Sequence, residues 1–197
     1  MNIRRALISV YNKTGIINFC RELTNFGIEI IATGGTLTIL KGGGIKKLKH
    51  VSDVTNFPEI LDGRVKTEHP KIIGGILARK EKKEHMNELE RLGIKPIDLV
   101  ACNIYPFEKF VDEELNLEML LEKIDIGGPN MIRAAAKNYQ NVIVIVNPNR
   151  YDQVLQELKE NGDVCVKTRL ILASEAFKVT ARYDLLISNF LEQTISL

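Results

Sequence analysis

The sequence predicts an α/β fold, a doubly wound, Rossmann-like parallel sheet flanked by helices. Short apolar runs rich in β-formers alternate along the chain with segments of helical spacing, and such alternation indicates right-handed βαβ crossovers. One run, VIVIV at residues 142–146, is β-branched throughout, as in a parallel strand buried on both faces. With 197 residues, 45% of them hydrophobic, the chain can bury one sizeable core. We therefore expect a single domain spanning residues 1–197.

The first strand–helix unit covers residues 6–27. Residues 6–10 (ALISV) read as a strand, the apolar positions that follow have helical spacing, and Gly27 ends the helix. The connecting turn at residues 9–15, SVYNKTG, puts hydroxyl, amide and amino groups at a helix N-terminus, which is a natural anion site. It lacks the GxxxxGK[ST] pattern of a Walker A loop. Asn12 and Thr14 are equally well explained as helix N-caps.

The second unit repeats this design. A strand is predicted at residues 28–32, and TGGT at residues 33–36 leads into a short helix that runs through Leu40. Two glycines flanked by hydroxyls can present several backbone N–H groups to one phosphate. One such turn is a weak signal, whereas its recurrence after a second strand favours a phosphate site.

The middle of the chain combines a loop dense in chemical groups with a clear strand. Residues 51–78 are predicted to form an extended loop that carries Arg64, Lys66 and His69, and residues 81–92 a surface helix. The strand at residues 97–104 brings Asn103 and Tyr105 to its C-terminal end. A short helix at residues 115–124 is expected to follow.

Residues 124–138, IDIGGPNMIRAAAKN, hold an acid, two glycines and two cations. Gly127 and Gly128 permit unusual dihedrals or close approach, and a proline suits the first turn of a helix that begins near residue 129. Arg133 and Lys137, four residues apart, share one helical face. Asp125 lies beside the unpaired N–H groups of that helix start. Helices at residues 150–161 and 167–191 complete the predicted elements.

Ligands of an open parallel sheet bind beyond the carboxyl ends of its strands. The turns at residues 9–14, 33–36 and 103–105 all follow predicted strands. Although far apart in sequence, they should therefore converge on one rim of the sheet.

Composition excludes several classes of function. The formal charge of +2 is too balanced for a nucleic-acid binder, and the basic clusters at residues 45–50 and 79–85 are interpreted as solvated faces, although the first could attract an anionic substrate. Three scattered cysteines and three histidines without metal-ligand spacing argue against disulfides and metal sites. Apolar runs are too short for a membrane span or signal peptide. We expect a cytoplasmic protein.

Three motifs together resemble one enzyme family. GRVKTEHP at residues 63–70, ACNIYPF at 101–107 and IDIGGPNMIRAAAKN at 124–138, supported by SVYNKTG and TGGT, resemble the IMP cyclohydrolase portion of the bifunctional purine-biosynthesis enzyme that also carries AICAR transformylase activity. The resemblance covers residues 5–191. It implies a methylglyoxal synthase-like fold and the dehydrative ring closure of formyl-AICAR to IMP, the last step of de novo purine biosynthesis. It implies no cofactor and no metal.

The resemblance also implies roles for individual residues. Lys137, paired with Asp125, would transfer the proton at the amide nitrogen, and such a pair would titrate as a coupled unit. Lys66 would stabilise the formyl oxyanion, with Tyr105 as a hydrogen-bonding partner. The nucleotide site would be lined by Arg64, Val65, Thr67, Cys102, Asn103, Ile126 and Gly127, and the 5′-phosphate and ribose would be held by Tyr11, Asn12, Lys13, Thr33, Gly34, Gly35 and Thr36.

The sequence departs from the family pattern in a few places. Tyr11 and Asn12 stand where Ser and Asp are expected, and Tyr139 stands where His is usual. The transformylase portion that would follow the last predicted helix is missing, so we expect either a stand-alone cyclohydrolase or an excised piece of a longer enzyme. If the chain stands alone, formyl-AICAR would come from a separate AICAR transformylase. The long final helix could contribute to a homodimer.

Two alternative functions use the same fold. One is a non-catalytic, nucleotide- or phosphate-binding regulatory domain, which needs the phosphate turns but not Lys66, Asp125 and Lys137 together. The other is methylglyoxal synthase, expected to rely on Asp and His in different motifs. Since one fold hosts many functions, the fold alone decides between none of them.

Overall fold

Five parallel strands form one sheet at the centre of the molecule, in the order β3-β2-β1-β4-β5. The computed structural model describes residues 3–111 and 117–195. The strands are β1 (Arg5–Val10), β2 (Glu29–Ala32), β3 (Leu48–His50), β4 (Leu99–Asn103) and β5 (Ile143–Ile145). Helices connect the strands, so the predicted α/β class and parallel sheet are confirmed.

The register aligns apolar residues across four of the five strands. Leu7 of β1 pairs with Ile31 of β2 on one side and Val100 of β4 on the other, and Val100 pairs with Val144 of β5. Consecutive residues of β1, among them Leu7 and Ile8, are fully buried, which means that both faces of the strand are covered. The core therefore lies on both sides of the sheet.

Ten helices are found in the described ranges. They are α1 (Ile16–Asn25), α2 (Gly34–Gly42), α3 (Val51–Thr55), α4 (Pro70–Leu77), α5 (Lys83–Arg91), α6 (Glu108–Val111), α7 (Leu117–Leu121), α8 (Gly127–Lys137), α9 (Tyr151–Asn161) and α10 (Val166–Ile195), with 3-10 turns at Leu61–Gly63 and Pro148–Arg150. None of these helices is both long enough and apolar enough to cross a lipid bilayer.

The helices contact the sheet in two groups. α1 contacts β2, α2 and α9, whereas α8 contacts β4, β5, α4 and α10. Helix α8 can lie close to its neighbours because its buried face is made mainly of small residues, including Ala134, Ala135 and Ala136. This packing fixes the start of α8 at the carboxyl end of β4.

Two features differ from the sequence-based expectation. The segment at residues 45–50, interpreted as a solvated basic face, contains the edge strand β3, whose Lys49 is exposed and paired with Glu29 of the neighbouring strand. Residues 51–78, expected to be an extended loop, contain α3 and α4. Helix α4 is hidden in the sequence by its central glycines, yet Gly75 is needed there, because a Cβ would lie 2.9 Å from the carbonyl oxygen of Lys95.

The other predicted elements are present with shifted ends. Strand β4 is shorter than the predicted 97–104, and β5 is shorter than 142–146, while α10 extends beyond the predicted residue 191. Of the helix predicted at residues 115–124, the first two residues lie outside the described ranges, and α7 covers Leu117–Leu121.

Candidate active site

A cleft of about 840 Å³ opens at the carboxyl ends of β1, β2 and β4. Three segments form its walls: the turn at residues 33–35, the loop at residues 61–68 and the segment at residues 121–128 that leads into α8. Ser9, near the end of β1, and Tyr105, two residues after β4, also line the cleft. The predicted convergence of strand-end turns on one rim is present in the structure.

The turn at residues 11–15, which we call the first turn, is held by one side chain of β4. Asn103 Oδ1 accepts hydrogen bonds from the backbone N–H groups of Tyr11 at 2.7 Å and Asn12 at 2.8 Å, and its amide nitrogen donates to the Asn12 carbonyl at 3.3 Å. Gly15 has a left-handed backbone, with φ of 71°, and the Asn12 side chain accepts from the N–H of Thr14 at 3.0 Å. Asn103 therefore positions the first turn instead of lining the cleft.

The second turn, residues 33–36, is linked to β1 through hydroxyl groups. Ser9 and Thr33 hydroxyl oxygens lie 2.9 Å apart, and Thr36 Oγ1 donates to the Val10 carbonyl at 3.1 Å. The Lys13 ammonium group donates to the same carbonyl, and burial lowers the pKa of Lys13. An amino group, two hydroxyls and the N-terminus of α2 thus meet beside the two turns, a combination suited to an anion.

The loop at residues 61–68 forms the second wall and has an unusual backbone. Leu61, Asp62 and Gly63 all have positive φ, of 54°, 53° and 87°, although the first two are not glycines. Such conformations persist where surrounding contacts impose them. Here the Arg64 guanidinium binds the Glu122 carboxylate on the opposite wall, in an exposed ion pair that joins the two walls.

Lys66 and Glu68 project from the same loop into the cleft. The Lys66 ammonium lies 3.7 Å from a carboxylate oxygen of Glu59, and its own backbone N–H donates to Glu68 Oε2 at 2.8 Å. Thr67, between them, is 3% exposed. The cleft therefore contains a cation and a carboxylate from one short loop.

Asp125 lies at the start of α8, as predicted. Its Oδ1 accepts from the N–H of Gly128 at 2.8 Å. A Cβ on Gly128 would collide with the Asp125 carboxyl group, and a Cβ on Gly127 would lie 2.6 Å from both Glu68 Oε1 and Thr67 Oγ1. The double glycine is thus required because two carboxylates approach the helix start more closely than any side chain there would allow.

The environment of Asp125 favours its protonated form. Burial raises its pKa most strongly, and the nearby Glu68 carboxylate raises it further. The N–H groups at the helix start and the Lys66 cation act in the opposite direction, yet the net pKa lies above the ordinary value. A carboxyl group with a raised pKa inside a cleft is suited to proton transfer near neutral pH.

Tyr183 of α10 holds the backbone of Asp125. Its hydroxyl oxygen accepts from the Asp125 N–H at 2.7 Å. The ring is 5% exposed and makes an edge contact with Phe107, whose ring also contacts Phe190. Burial raises the pKa of Tyr183 to about 12. The last helix thus reaches the site through one buried hydroxyl.

Tyr105 contributes an aromatic surface to the cleft. Its ring centroid lies 4.1 Å from that of Tyr11 and 4.5 Å from that of Phe110, which stacks on it. Cys102 is buried behind the cleft, 3.9 Å from the carbonyl of Gly128, and burial raises the pKa of its thiol. Tyr11 therefore packs on a cleft residue, and Cys102 supports the start of α8.

The structure brings most of the predicted site residues together. Those that line the cleft are Thr33, Gly34, Gly35, Arg64, Val65, Lys66, Thr67, Tyr105, Asp125, Ile126 and Gly127. Directly behind them, through the contacts described above, lie Tyr11, Asn12, Lys13, Thr36, Cys102 and Asn103. These side chains support the lining or the two turns.

Lys137 is the exception. It ends α8, ten residues after Gly127, which is about 15 Å along an α-helix. Its side chain is exposed, and the residue does not contribute to the cleft formed by the described residues. Within one chain Lys137 and Asp125 therefore do not meet, and the charged groups close to Asp125 are Glu68 and Lys66.

Sequence reasoning did not select Glu68 or Tyr183. Glu68 is the acid inside GRVKTEHP, so its position within a cationic motif could have indicated it. Tyr183 stands among the apolar residues of the last predicted helix, and the usual need of a buried tyrosine hydroxyl for a hydrogen-bond partner could have indicated it. Within residues 3–111 and 117–195, no three His, Cys, Asp or Glu side chains converge in a way that could hold a metal ion.

Comparisons with known proteins agree with this architecture. A family model described as "MGS-like domain" matches residues 15–130, and one described as "AICARFT/IMPCHase bienzyme" matches residues 135–196. A solved structure, described as "Crystal structure of ForH", is 34% identical with a TM-score of 0.84, and the alignment covers 95% of this chain and 98% of that one.

Curated relatives are more similar in sequence. The Bifunctional purine biosynthesis protein PurH of Acetivibrio thermocellus is 53% identical over 98% of this chain, and that of Lactobacillus acidophilus is 50% identical over 99%. The chain spans 38% of the length of each. The family resemblance predicted from the motifs is confirmed. The matches show that the chain belongs to the family of MGS-like domains, with a carboxyl-terminal third that matches the AICARFT/IMPCHase bienzyme family.

Proposed function

We propose that the chain is an IMP cyclohydrolase, which closes the second purine ring of formyl-AICAR to give IMP and water. The observation that carries this proposal is one cleft in which Ser9 and the second turn meet Lys66, Asp125 and Tyr105. PurH relatives at 50–53% identity over nearly the whole chain support the same activity.

The cleft has the parts that a nucleotide substrate requires. The phosphate would bind beside the two turns, where Lys13, Ser9 and Thr33 supply cationic and hydroxyl groups. The imidazole base would then reach toward Lys66 and Asp125, with the ring of Tyr105 beside it. Because both reacting groups belong to one molecule, holding a near-attack conformer supplies much of the acceleration.

The chemistry needs a proton acceptor and a site for negative charge. The carboxamide nitrogen loses a proton as it attacks the formyl carbon, and the formyl oxygen gains charge before it leaves as water. Asp125 exchanges protons in this scheme, because burial and the Glu68 charge raise its pKa above the ordinary value and so make its protonated form more accessible. Lys66 stabilises the oxyanion, with Tyr105 as a further hydrogen-bonding group.

Turnover of synthetic formyl-AICAR by the purified protein, without added metal or cofactor, tests the proposal. Formation of IMP, followed by chromatography, is the expected result, and Lys66→Ala should reduce it by about 10². Binding of IMP without turnover would instead favour the regulatory, nucleotide-binding domain as the function.

We further infer that the chain is a homodimer and that Lys137 serves the cleft of the partner subunit. Helix α10 exposes apolar side chains, among them Leu170 at 54% and Phe177 at 41%. Arg133 of α8 lies over the Phe177 ring, at 5.8 Å, and Lys137 follows one helical turn later on the same face. A second copy that covers Phe177 would bring Lys137 against that copy.

A mixing experiment separates the two arrangements. Lys137→Ala and Asp125→Asn homodimers should each be inactive. If Lys137 acts across the interface, mixed dimers contain one site with both residues intact, so refolding the two variants together restores IMP formation. If mixing restores nothing, or light scattering gives the monomer mass at all concentrations, the inference is wrong.

From this activity we also propose where the substrate comes from in the cell. Formyl-AICAR would be supplied by an AICAR transformylase in the cytoplasm. Adding a purified transformylase with AICAR and a formyl donor should yield IMP only when this chain is also present.

A further inference from the structure

Glu68 and Asp125 both approach the start of α8. Glu68 comes from the loop that carries Lys66, and Asp125 lies two residues before the helix begins. Glu68 Oε1 lies 2.6 Å from the position that a Cβ of Gly127 would take, and Asp125 Oδ1 accepts from the N–H of Gly128 at 2.8 Å. Both residues line the cleft. Two carboxyl groups therefore lie beside two successive glycines in the lining of the candidate site.

Within one chain, the groups around Asp125 are of both charge signs. The groups that interact with Asp125 are Glu68 and Lys66 from the loop, the Tyr183 hydroxyl from α10 and the Cys102 thiol from β4. Lys66 is the one cation among these groups, and it also lies 3.7 Å from the Glu59 carboxylate. Burial and the Glu68 charge together raise the pKa of Asp125.

The ring closure needs an acid and a base together. First, the carboxamide nitrogen loses a proton while its lone pair forms the bond to the formyl carbon, and the formyl oxygen takes up a proton, which gives a carbinolamine. Second, a ring N–H loses its proton, the carbon–oxygen bond breaks, and the hydroxyl leaves with a proton as water. Each step thus removes one proton from nitrogen and delivers one to the same oxygen, so no net proton or electron is exchanged with the protein.

We propose that Glu68 is a second catalytic carboxyl group, so that Glu68 and Asp125 together supply the acid and the base of both steps. The inference rests on the proposed cyclohydrolase function. Between the two steps, a proton passes back from the carboxyl group that accepted it to the one that donated it, which restores the starting state. The Gly127–Gly128 backbone permits the arrangement, because it leaves the space that both carboxyl groups use.

Glu68→Gln tests this role with little change in shape. The amide oxygen of glutamine can still accept the hydrogen bond from the Lys66 N–H, so a purely structural role would survive the substitution. We expect turnover at neutral pH to fall by about 10². Removing the neighbouring negative charge also lowers the pKa of Asp125, so the limb of the pH–rate profile that Asp125 controls moves to lower pH.

Glu90→Gln is the matched control, since it removes an exposed carboxylate of α5 that does not line the cleft. Carboxyl ¹³C NMR titration of the substrate-free protein gives an independent readout, and the Asp125 midpoint should move in Glu68→Gln but not in the control. A wild-type protein without IMP formation overturns the proposed function and this inference with it. An active wild type whose pH profile and Asp125 midpoint are unchanged in Glu68→Gln overturns this inference alone.

Discussion

Replacing Tyr183 by phenylalanine removes a hydroxyl group that lies outside the cleft. This hydroxyl binds the backbone of Asp125, whose carboxyl group lines the cleft. In the wild type this oxygen accepts from the Asp125 N–H at 2.7 Å. A buried donor left without a partner costs about 1–3 kcal/mol. For a domain of this size, each kcal/mol corresponds to a decrease in Tm of about 2–4 °C. Tyr183→Phe should therefore melt measurably lower by calorimetry.

The same substitution should reduce activity by more than the loss of folded protein explains. Asp125 loses the bond that fixes its backbone, and a displacement of about 1 Å at a reacting group costs about 10²-fold in rate. Because burial raises the pKa of Tyr183 to about 12, its hydroxyl stays protonated across the pH range of the assay. The loss of activity in Tyr183→Phe should therefore not depend on pH between about 6 and 9.

Tyr151→Phe is the control for this experiment. Tyr151 is also buried, but its ring stacks on Phe19 and does not line the cleft. The control should keep normal turnover. If Tyr183→Phe keeps both the turnover and the Tm of the wild type, the hydrogen bond to Asp125 does not position the carboxylate.

Three further substitutions probe the cleft. Asp125→Asn should lower turnover by about 10²–10⁴. Because the folded-state pKa of Asp125 is raised, the wild type loses stability as pH rises through that pKa. The variant should therefore have the higher Tm at pH 7 and no advantage in Tm below about pH 4. Gly127→Ala introduces a Cβ 2.6 Å from the Glu68 carboxyl and should weaken IMP binding in calorimetric titration, whereas Gly42→Ala, which meets nothing within 4 Å, should not. Asn103→Ala leaves two N–H groups of the first turn without their acceptor and should raise KM more than it lowers kcat in steady-state assays.

Much of the fold could be predicted from the sequence because its buried strands are continuous apolar runs. The central strands β1 and β4 are buried on both faces, so their residues have no polar alternation that could hide them, and the edge strand β5 is fully buried as well. The edge strand β3 was missed for the opposite reason. With one neighbour and a solvated side, it carries Lys49 and His50, and its three residues look like part of a basic loop.

The parts of the site that lie at the carboxyl ends of parallel strands could be predicted from the sequence. The prediction was incomplete where tertiary packing decides which residues meet. Turns that follow parallel strands must meet at one rim, so Thr33 and Tyr105 were correctly expected to lie close together. By contrast, the bond from Tyr183 to Asp125 depends on how α10 crosses the sheet, which no local pattern reveals. The separation of Lys137 from Asp125 could have been anticipated, since an uninterrupted helix that begins near residue 129 carries its last residues away from its start.

The link between Asn103 and the first turn has a consequence for how the protein is made. The hydrogen bonds join residues 92 and 91 positions apart in sequence. Contacts over such separations form late in folding, because the entropy of the intervening chain must be lost before the contacts can stabilise the fold. During synthesis, the first turn is therefore complete in sequence long before β4 emerges to fix its geometry. Phosphate binding would thus report that β4 has docked beside β1, and a nascent chain that ends before residue 103 should bind its nucleotide poorly.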